Sequence, residues 1–129
     1  MQLTLKDDLP FTCVRVAYAG MEIEISDVLV DTGSTTTILA ADQVARIGII
    51  PEPPDVLYTI RGVGGVETVF TRRVERLQVG QQGEADFEIE VGGMDYGFAI
   101  NGILGMDFLL QTGAILNMRT LSLDFSNEP

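Results

Sequence analysis

The sequence predicts a mostly β fold with one or two short helices. Val, Ile and Thr, which suit a pleated surface, recur along the chain. Fourteen glycines among 129 residues punctuate the apolar runs. Few windows show a helical period over a helical length. A hydrophobic fraction of 46% fits a packed domain and excludes a disordered one. This length supports one domain, residues 1–129, with its core between about 11 and 125.

Phe11 to Tyr18 reads as the first strand, turning at Gly20. Met21, Ile23 and Ile25 alternate with Glu22, Glu24 and Ser26, giving one buried and one wet face. Asp27 interrupts that pattern. Val28-Leu29-Val30 is apolar at every position, as in a strand covered on both sides. Thr35-Thr36-Thr37 continues the turn after Asp31 and caps an expected helix over Ile38–Ile47, stopped by Gly48. Pro51, Pro53 and Pro54 enforce an extended connector. Leu57–Val63 and Val66–Val79 form two strands around Gly62-Val63-Gly64-Gly65, the second alternating and bearing solvated charges.

A turn at Gln81-Gln82-Gly83 precedes a strand in which Phe87, Ile89 and Val91 alternate with Asp86, Glu88 and Glu90. Gly92–Gly97 is a loop containing Tyr96. Met106–Gln111 is a short helix ending near Gly113, with Asp107 as a charge at its N-terminus. Ala114–Met118 and Leu121–Phe125 make a closing hairpin, followed by a polar tail to Pro129.

Absences narrow the chemistry. There is no histidine, which excludes Ser-His-Asp and Cys-His mechanisms and imidazole zinc sites within the chain. Cys13 is the sole cysteine, so there is no internal disulfide, and it reads as a small core residue. Lys6, the only lysine, lies in an N-terminus read as ragged. A net charge of −11 argues against nucleic acid and anionic membranes as partners. No apolar run reaches membrane-spanning length and the first residues lack a signal-peptide pattern, so cytoplasmic residence is expected. Any hydrolytic chemistry falls to carboxylates.

Val28-Leu29-Val30 delivers Asp31 into a turn of Thr32, Gly33 and Ser34. Far downstream a second apolar run, Ile103-Leu104, ends in Gly105 and precedes the short helix. By itself, Asp-Thr-Gly is also what an ordinary turn contains. Together these features resemble the aspartic proteases, specifically the single-lobed retropepsin type, in motif order from about Phe11 to Phe125.

The resemblance implies a closed β-barrel of the acid-protease type and an aspartic endopeptidase with no metal or cofactor. Asp31 would be the catalytic carboxylate. Thr32 would bond across a dimer beneath the site, Gly33 would donate its N–H to the carboxylate, and Ser34 would bond the outer carboxylate oxygen. Ile103, Leu104 and Gly105 would support the site. Arg61, Gly62, Val63, Gly64 and Gly65 would form a flap over an extended peptide substrate. Asp-Thr-Gly occurs once, so the second carboxylate would be Asp31 of a second copy, met on a twofold axis. The polar, Pro-ended tail departs from viral members, whose termini interleave, and shifts the expected dimer contact toward Leu121–Phe125.

The alternatives are a catalytically silent domain of the same fold, used for dimerisation or peptide binding, and a domain active only within a larger assembly. A carboxylate glycosidase would need two well-placed carboxylates in one chain, and no second one stands out.

Overall fold

Alternating apolar residues build β2 (Leu9–Tyr18) and β3 (Met21–Val30), which pair antiparallel from Phe11↔Leu29 to Tyr18↔Met21 in the computed structural model. The structure describes residues 1–62, 65–94 and 99–126. Ala19 (φ 51°) and Gly20 (φ 78°) close this hairpin with two left-handed residues, the geometry that follows strand twist. Asp27 does not end β3. It sits at φ 58° in a bulge where Ser26 and Asp27 oppose Cys13 alone. The bulge resets the phase, so Ile25 and Val28 both face the core. Cys13 shares the outer face with Arg15 and is exposed, correcting its assignment to the core.

β1 (Thr4–Lys6) pairs with β2. Lys6, expected in a ragged end, is held in that strand with its Nζ 2.5 Å from Asp27 Oδ1. The helix expected over Ile38–Ile47 is mostly something else. Ile38–Ala40 is β4, fully buried, followed by the short α1 (Ala41–Val44) and a 3-10 turn (Ala45–Ile47). Ala40, not a threonine, stands at the helix N-cap. The β-branched Ile38 is taken into the sheet, where ladder bonds and burial outweigh local helix preference. Gly48 ends the turn at φ 85°, as expected.

β5 (Tyr58–Gly62) pairs with the long β6 (Gly65–Val79), and β6 pairs with β7 (Gln82–Gly92). Gly80 (φ 58°) and Gln81 make the turn, one residue earlier than expected. The alternation predicted along β6 holds only in halves. Phe70 and Val74 are buried, then Leu77 and Val79. The change falls at Glu75, opposite Asp86, whose φ is 54°. β8 (Gly102–Leu104) leads into α2 (Met106–Gln111), which coincides with the expected helix. β9 (Ala114–Asn117) and β10 (Ser122–Phe125) make the closing hairpin. The expected hairpin tip at Val63 and Gly64, the stretch 95–97 with Tyr96, and the tail 127–129 lie outside the described residues.

The main sheet runs β1-β2-β3-β8-β4-β7-β6-β5, and the β2–β6 pairing closes its strands into a ring. The domain is therefore mostly β, with the core inside this ring. Phe108 of α2 is fully buried and meets Phe87 and Phe125 edge to face, at 5.8 and 6.1 Å. Burying such a ring contributes about 2–3 kcal/mol, and each edge contact adds about 1 kcal/mol. Phe108 thus fixes α2 against β7 and β10, and through α2 the Gly105 turn. No helix among the described residues is long and apolar enough to cross a membrane.

Candidate active site

Two segments about seventy residues apart in sequence meet at the end of β3. β3 and β8 run parallel, with Val28↔Gly102, Leu29↔Ile103 and Val30↔Leu104 in register. The Asp31 N–H continues that ladder, donating to Leu104 O at 3.0 Å. The sequence-predicted pair of motifs is therefore brought together, with Asp31 directly beside the Ile103-Leu104-Gly105 run.

The turn is held by short local bonds. Gly33 N–H donates to Asp31 Oδ1 at 2.8 Å and Ser34 N–H to Asp31 O at 3.2 Å. Asp31 is half-buried, whereas Thr32 and Gly33 are exposed. A Cβ on Gly33 would lie 3.1 Å from Asp31 Oδ1, so the missing side chain lets the backbone approach the carboxylate. Ser34 departs from its expected role. Its hydroxyl donates to Thr36 O at 2.7 Å, so its one proton is not offered to Asp31.

The Gly105 turn packs hard against this loop. A Cβ on Gly105 would sit 2.2 Å from Thr36 O and 3.0 Å from Ser34 O. Met106 N–H donates to Ser34 O at 2.8 Å and Asp107 N–H to Thr35 O at 3.2 Å. Thr37, fully buried, joins the two segments through its side chain. Its hydroxyl accepts from Gly105 N–H at 3.1 Å and donates to Asp107 Oδ1 at 2.7 Å. Asp107 Oδ2 accepts from Thr37 N–H at 3.0 Å, and Oδ1 also from Phe108 N–H at 2.7 Å.

Asp107 is thus more than a helix charge. It is a bracket holding the loop after Asp31 onto α2. Sequence reasoning missed this role and that of Thr37. The available signal was an acid two residues past the Gly105 turn together with a threonine run ending in buried Ile38.

Of the expected flap residues, Arg61, Gly62 and Gly65 lie at the far end of the β5–β6 ladder, with Arg61↔Val66 and Gly62↔Gly65 in register. The last β6–β7 pair is Val69↔Gly92. The rungs from Thr59↔Thr68 to Gly62↔Gly65 therefore extend past β7 as a two-stranded ribbon.

Away from this loop, Cys13 and Arg72 have shifted proton affinities. Burial pushes the Cys13 thiol up, and neighbouring Glu24 adds to it, so this exposed thiol is a poor nucleophile. Burial alone would lower the Arg72 guanidinium, but its bonds to Tyr18 and Asp55 outweigh that and hold it up. Among the described residues no cluster of carboxylates or Cys13 suits a metal ion.

Residues 14–108 of this chain match the family described as Aspartyl protease, a retropepsin-like family. No curated protein matches the chain.

Proposed function

We propose that this chain, which belongs to the aspartyl protease family, works as a homodimeric endopeptidase with Asp31 of each copy forming one dyad. A single observation carries the reading. The two segments that meet at the site bring two carboxylates, Asp31 and Asp107, and Asp107 is already committed. Its oxygens accept from Thr37 N–H, the Thr37 hydroxyl and Phe108 N–H. The Asp31 carboxylate accepts the Gly33 N–H and stands half-buried beside the exposed Thr32 and Gly33. A mate for Asp31 is therefore supplied by a second copy, whose symmetry places the same carboxylate opposite.

Like charges a few ångströms apart cannot both ionise, so one carboxyl of such a pair keeps its proton while the other takes one from water. The water oxygen bonds to the peptide carbonyl carbon as the proton held by the mate passes to the carbonyl oxygen. The C–N bond of the resulting diol then breaks, its nitrogen taking the proton drawn from water while a diol hydroxyl returns a proton to the mate. Which copy is acid and which is base is set by where the shared proton sits. The Gly33 N–H fixes the orientation of the carboxylate, and Thr32 lies exposed where a partner can be met. The β5–β6 ribbon serves as the flap, and an extended peptide lies beneath it as an added strand.

For the contact between copies we favour β9, the strand paired with the Leu121–Phe125 segment expected from the sequence. β10 is paired with β9 on one edge and bridged by Gln2 on the other, with Leu3 N–H donating to Leu121 O and Leu123 N–H to Met1 O. Both edges of β10 are engaged within the chain, which leaves β9 for contact between copies. Residues 108–118 carry no charge in a chain of net −11. Leu110, Ile115 and Met118 are all exposed there, at 71%, 55% and 61%. Such a neutral, apolar strip is where two strongly acidic copies repel least.

The test is Asp31→Asn on an unstructured protein substrate from pH ~3 to ~7, with oligomeric state measured alongside. Cleavage falls at least ~1000-fold in the variant while the fold and dimer persist. Undiminished cleavage by the variant excludes the assignment. Specific activity that stays constant on dilution below any measurable dimer excludes the shared site.

A further inference from the structure

The β5–β6 ribbon raises a mechanical question. A two-stranded hairpin is marginal in water by itself, and this one has lost β7 beyond Val69↔Gly92. Its direction must be set at its base. There β6 has an unusual stretch of edge. β2 pairs with β6 as far as Ala17↔Arg76, and β5 begins at Tyr58↔Val69. Between those points neither strand covers β6, and Arg72 projects from this gap.

The Arg72 side chain is only 11% exposed, although the sequence reads it as one of several solvated strand charges. Its guanidinium lies 5.5 Å from the Phe70 ring centre and 5.8 Å from that of Tyr18. One amino group donates to Tyr18 Oη at 3.2 Å and pairs with Glu52 at 3.2 Å. The other donates to Ile50 O at 2.9 Å and to Asp55 Oδ2 at 2.7 Å. Asp55 in turn accepts from Glu52 N–H at 2.6 Å, and Asp55 N–H donates to Glu52 O at 2.8 Å. One planar fork therefore gathers the end of β2 and the Pro-rich connector that feeds β5. A lysine, a single point charge, cannot make this set of bonds.

We propose that Arg72 is the positioning residue of the flap, a latch that ties the connector before β5 to β6 and so fixes the angle at which the ribbon leaves the sheet. The inference rests on the protease reading for its functional consequence, but the latch itself is measurable without activity. When the fork is lost, the connector is released at Ile50, Glu52 and Asp55 together. The ribbon then samples a wider range, and an extended peptide must restrain it on binding. The loss falls on substrate affinity, because the Asp31 loop touches none of these groups.

The test compares Arg72→Met, which keeps the stem, with Arg72→Lys, which keeps the charge. Amide hydrogen exchange is followed residue by residue. A peptide with apolar residues flanking the cut, and the same peptide with a hydroxyl-bearing tetrahedral mimic at that bond, serve as probes. In Arg72→Met, exchange at 59–62 and 65–68 rises at least ~10-fold, while β3 and β7 amides change less than ~2-fold. KM for the peptide rises ~5-fold or more, affinity for the mimic falls in parallel, and kcat stays within ~2-fold. Arg72→Lys lies between the two. Unchanged ribbon exchange in Arg72→Met, or an even rise in exchange across the whole domain in both variants, overturns the latch. Faster ribbon exchange with unaltered KM overturns its role in substrate binding. If the unsubstituted protein cleaves nothing, the protease reading fails, and the exchange data still decide the latch.

Discussion

Thr37→Val removes one hydroxyl and almost no volume, and it should be among the most damaging changes of its size in this chain. The Thr37 side chain is fully buried, so water cannot replace what is lost. The hydroxyl-to-carboxylate bond at 2.7 Å has a charged acceptor, and such bonds contribute about 1.5–3 kcal/mol. The Gly105 N–H, which donates to the same hydroxyl at 3.1 Å, becomes a buried donor without a partner, costing about 1–3 kcal/mol. Valine recovers about 1 kcal/mol through its extra apolar surface, leaving a net loss of about 3 kcal/mol. For a domain of this size that lowers Tm by about 10 °C. Thermal unfolding followed by circular dichroism reads it directly, and Thr37→Ser should recover most of the loss. A cycle with Asp107→Asn should give a coupling of at least ~1 kcal/mol, since both changes break one bracket. A Tm within ~2 °C of the parent for Thr37→Val would refute the bracket as a source of stability.

Gly105→Ala should destabilise by at least ~3 kcal/mol, because the new methyl meets the backbone of Thr36 at 2.2 Å and not a side chain that can move aside; urea unfolding checks it. The Gly105 backbone is ordinarily extended, at φ −98° and ψ −176°, so the whole cost is steric. Gly33→Ala should leave Tm within ~3 °C yet reduce peptide cleavage at least ~10-fold, because its methyl falls 3.1 Å from Asp31 Oδ1; parallel unfolding and kinetics separate the two effects. The Cys13 thiol, pushed up by burial and Glu24, carries less thiolate at any given pH than a free thiol. Alkylation of the folded protein near neutral pH should therefore run slower than that of a small thiol and accelerate as pH rises.

Much of this architecture is written locally. The β2–β3 hairpin, α2 and the β9–β10 hairpin follow from period-2 alternation, a short apolar run after Gly105 and turn residues. The Asp31 turn and its downstream partner are legible as local motifs, an apolar run into Asp-Thr-Gly-Ser and a second apolar run ending in Gly105. What the sequence conceals depends on contacts between distant segments. Ile38–Ala40 has a helix-compatible context, but two neighbouring strands claim it, β7 in parallel and β8 antiparallel. Cys13, by contrast, lies outside in step with Arg15, between the buried Thr12 and Val14, a facing that strand alternation already carries. Arg72 and Asp107 look like ordinary surface charges until the connector and the Thr37 loop arrive beside them.

Those two residues also divide the molecule into parts with different mechanical duties. The Asp31 loop is pinned by backbone bonds to Leu104, by Met106 and Asp107 N–H groups, and by the Thr37 bracket, so small displacements there strain a close-packed contact between two backbones. The ribbon continues β6 beyond its ladder with β7, and the connector that feeds it is tied by side-chain bonds to a single guanidinium. On the proposed reading, hydrolysis by a paired carboxylate requires a fixed acid and base, whereas admission of an extended chain requires a cover that moves. Backbone bonds under one element and a side-chain clamp beside the other would suit those two requirements. Substitutions that break the Thr37–Gly105–Asp107 bracket should therefore lower kcat and stability together, and substitutions at Arg72 should alter KM with stability largely retained.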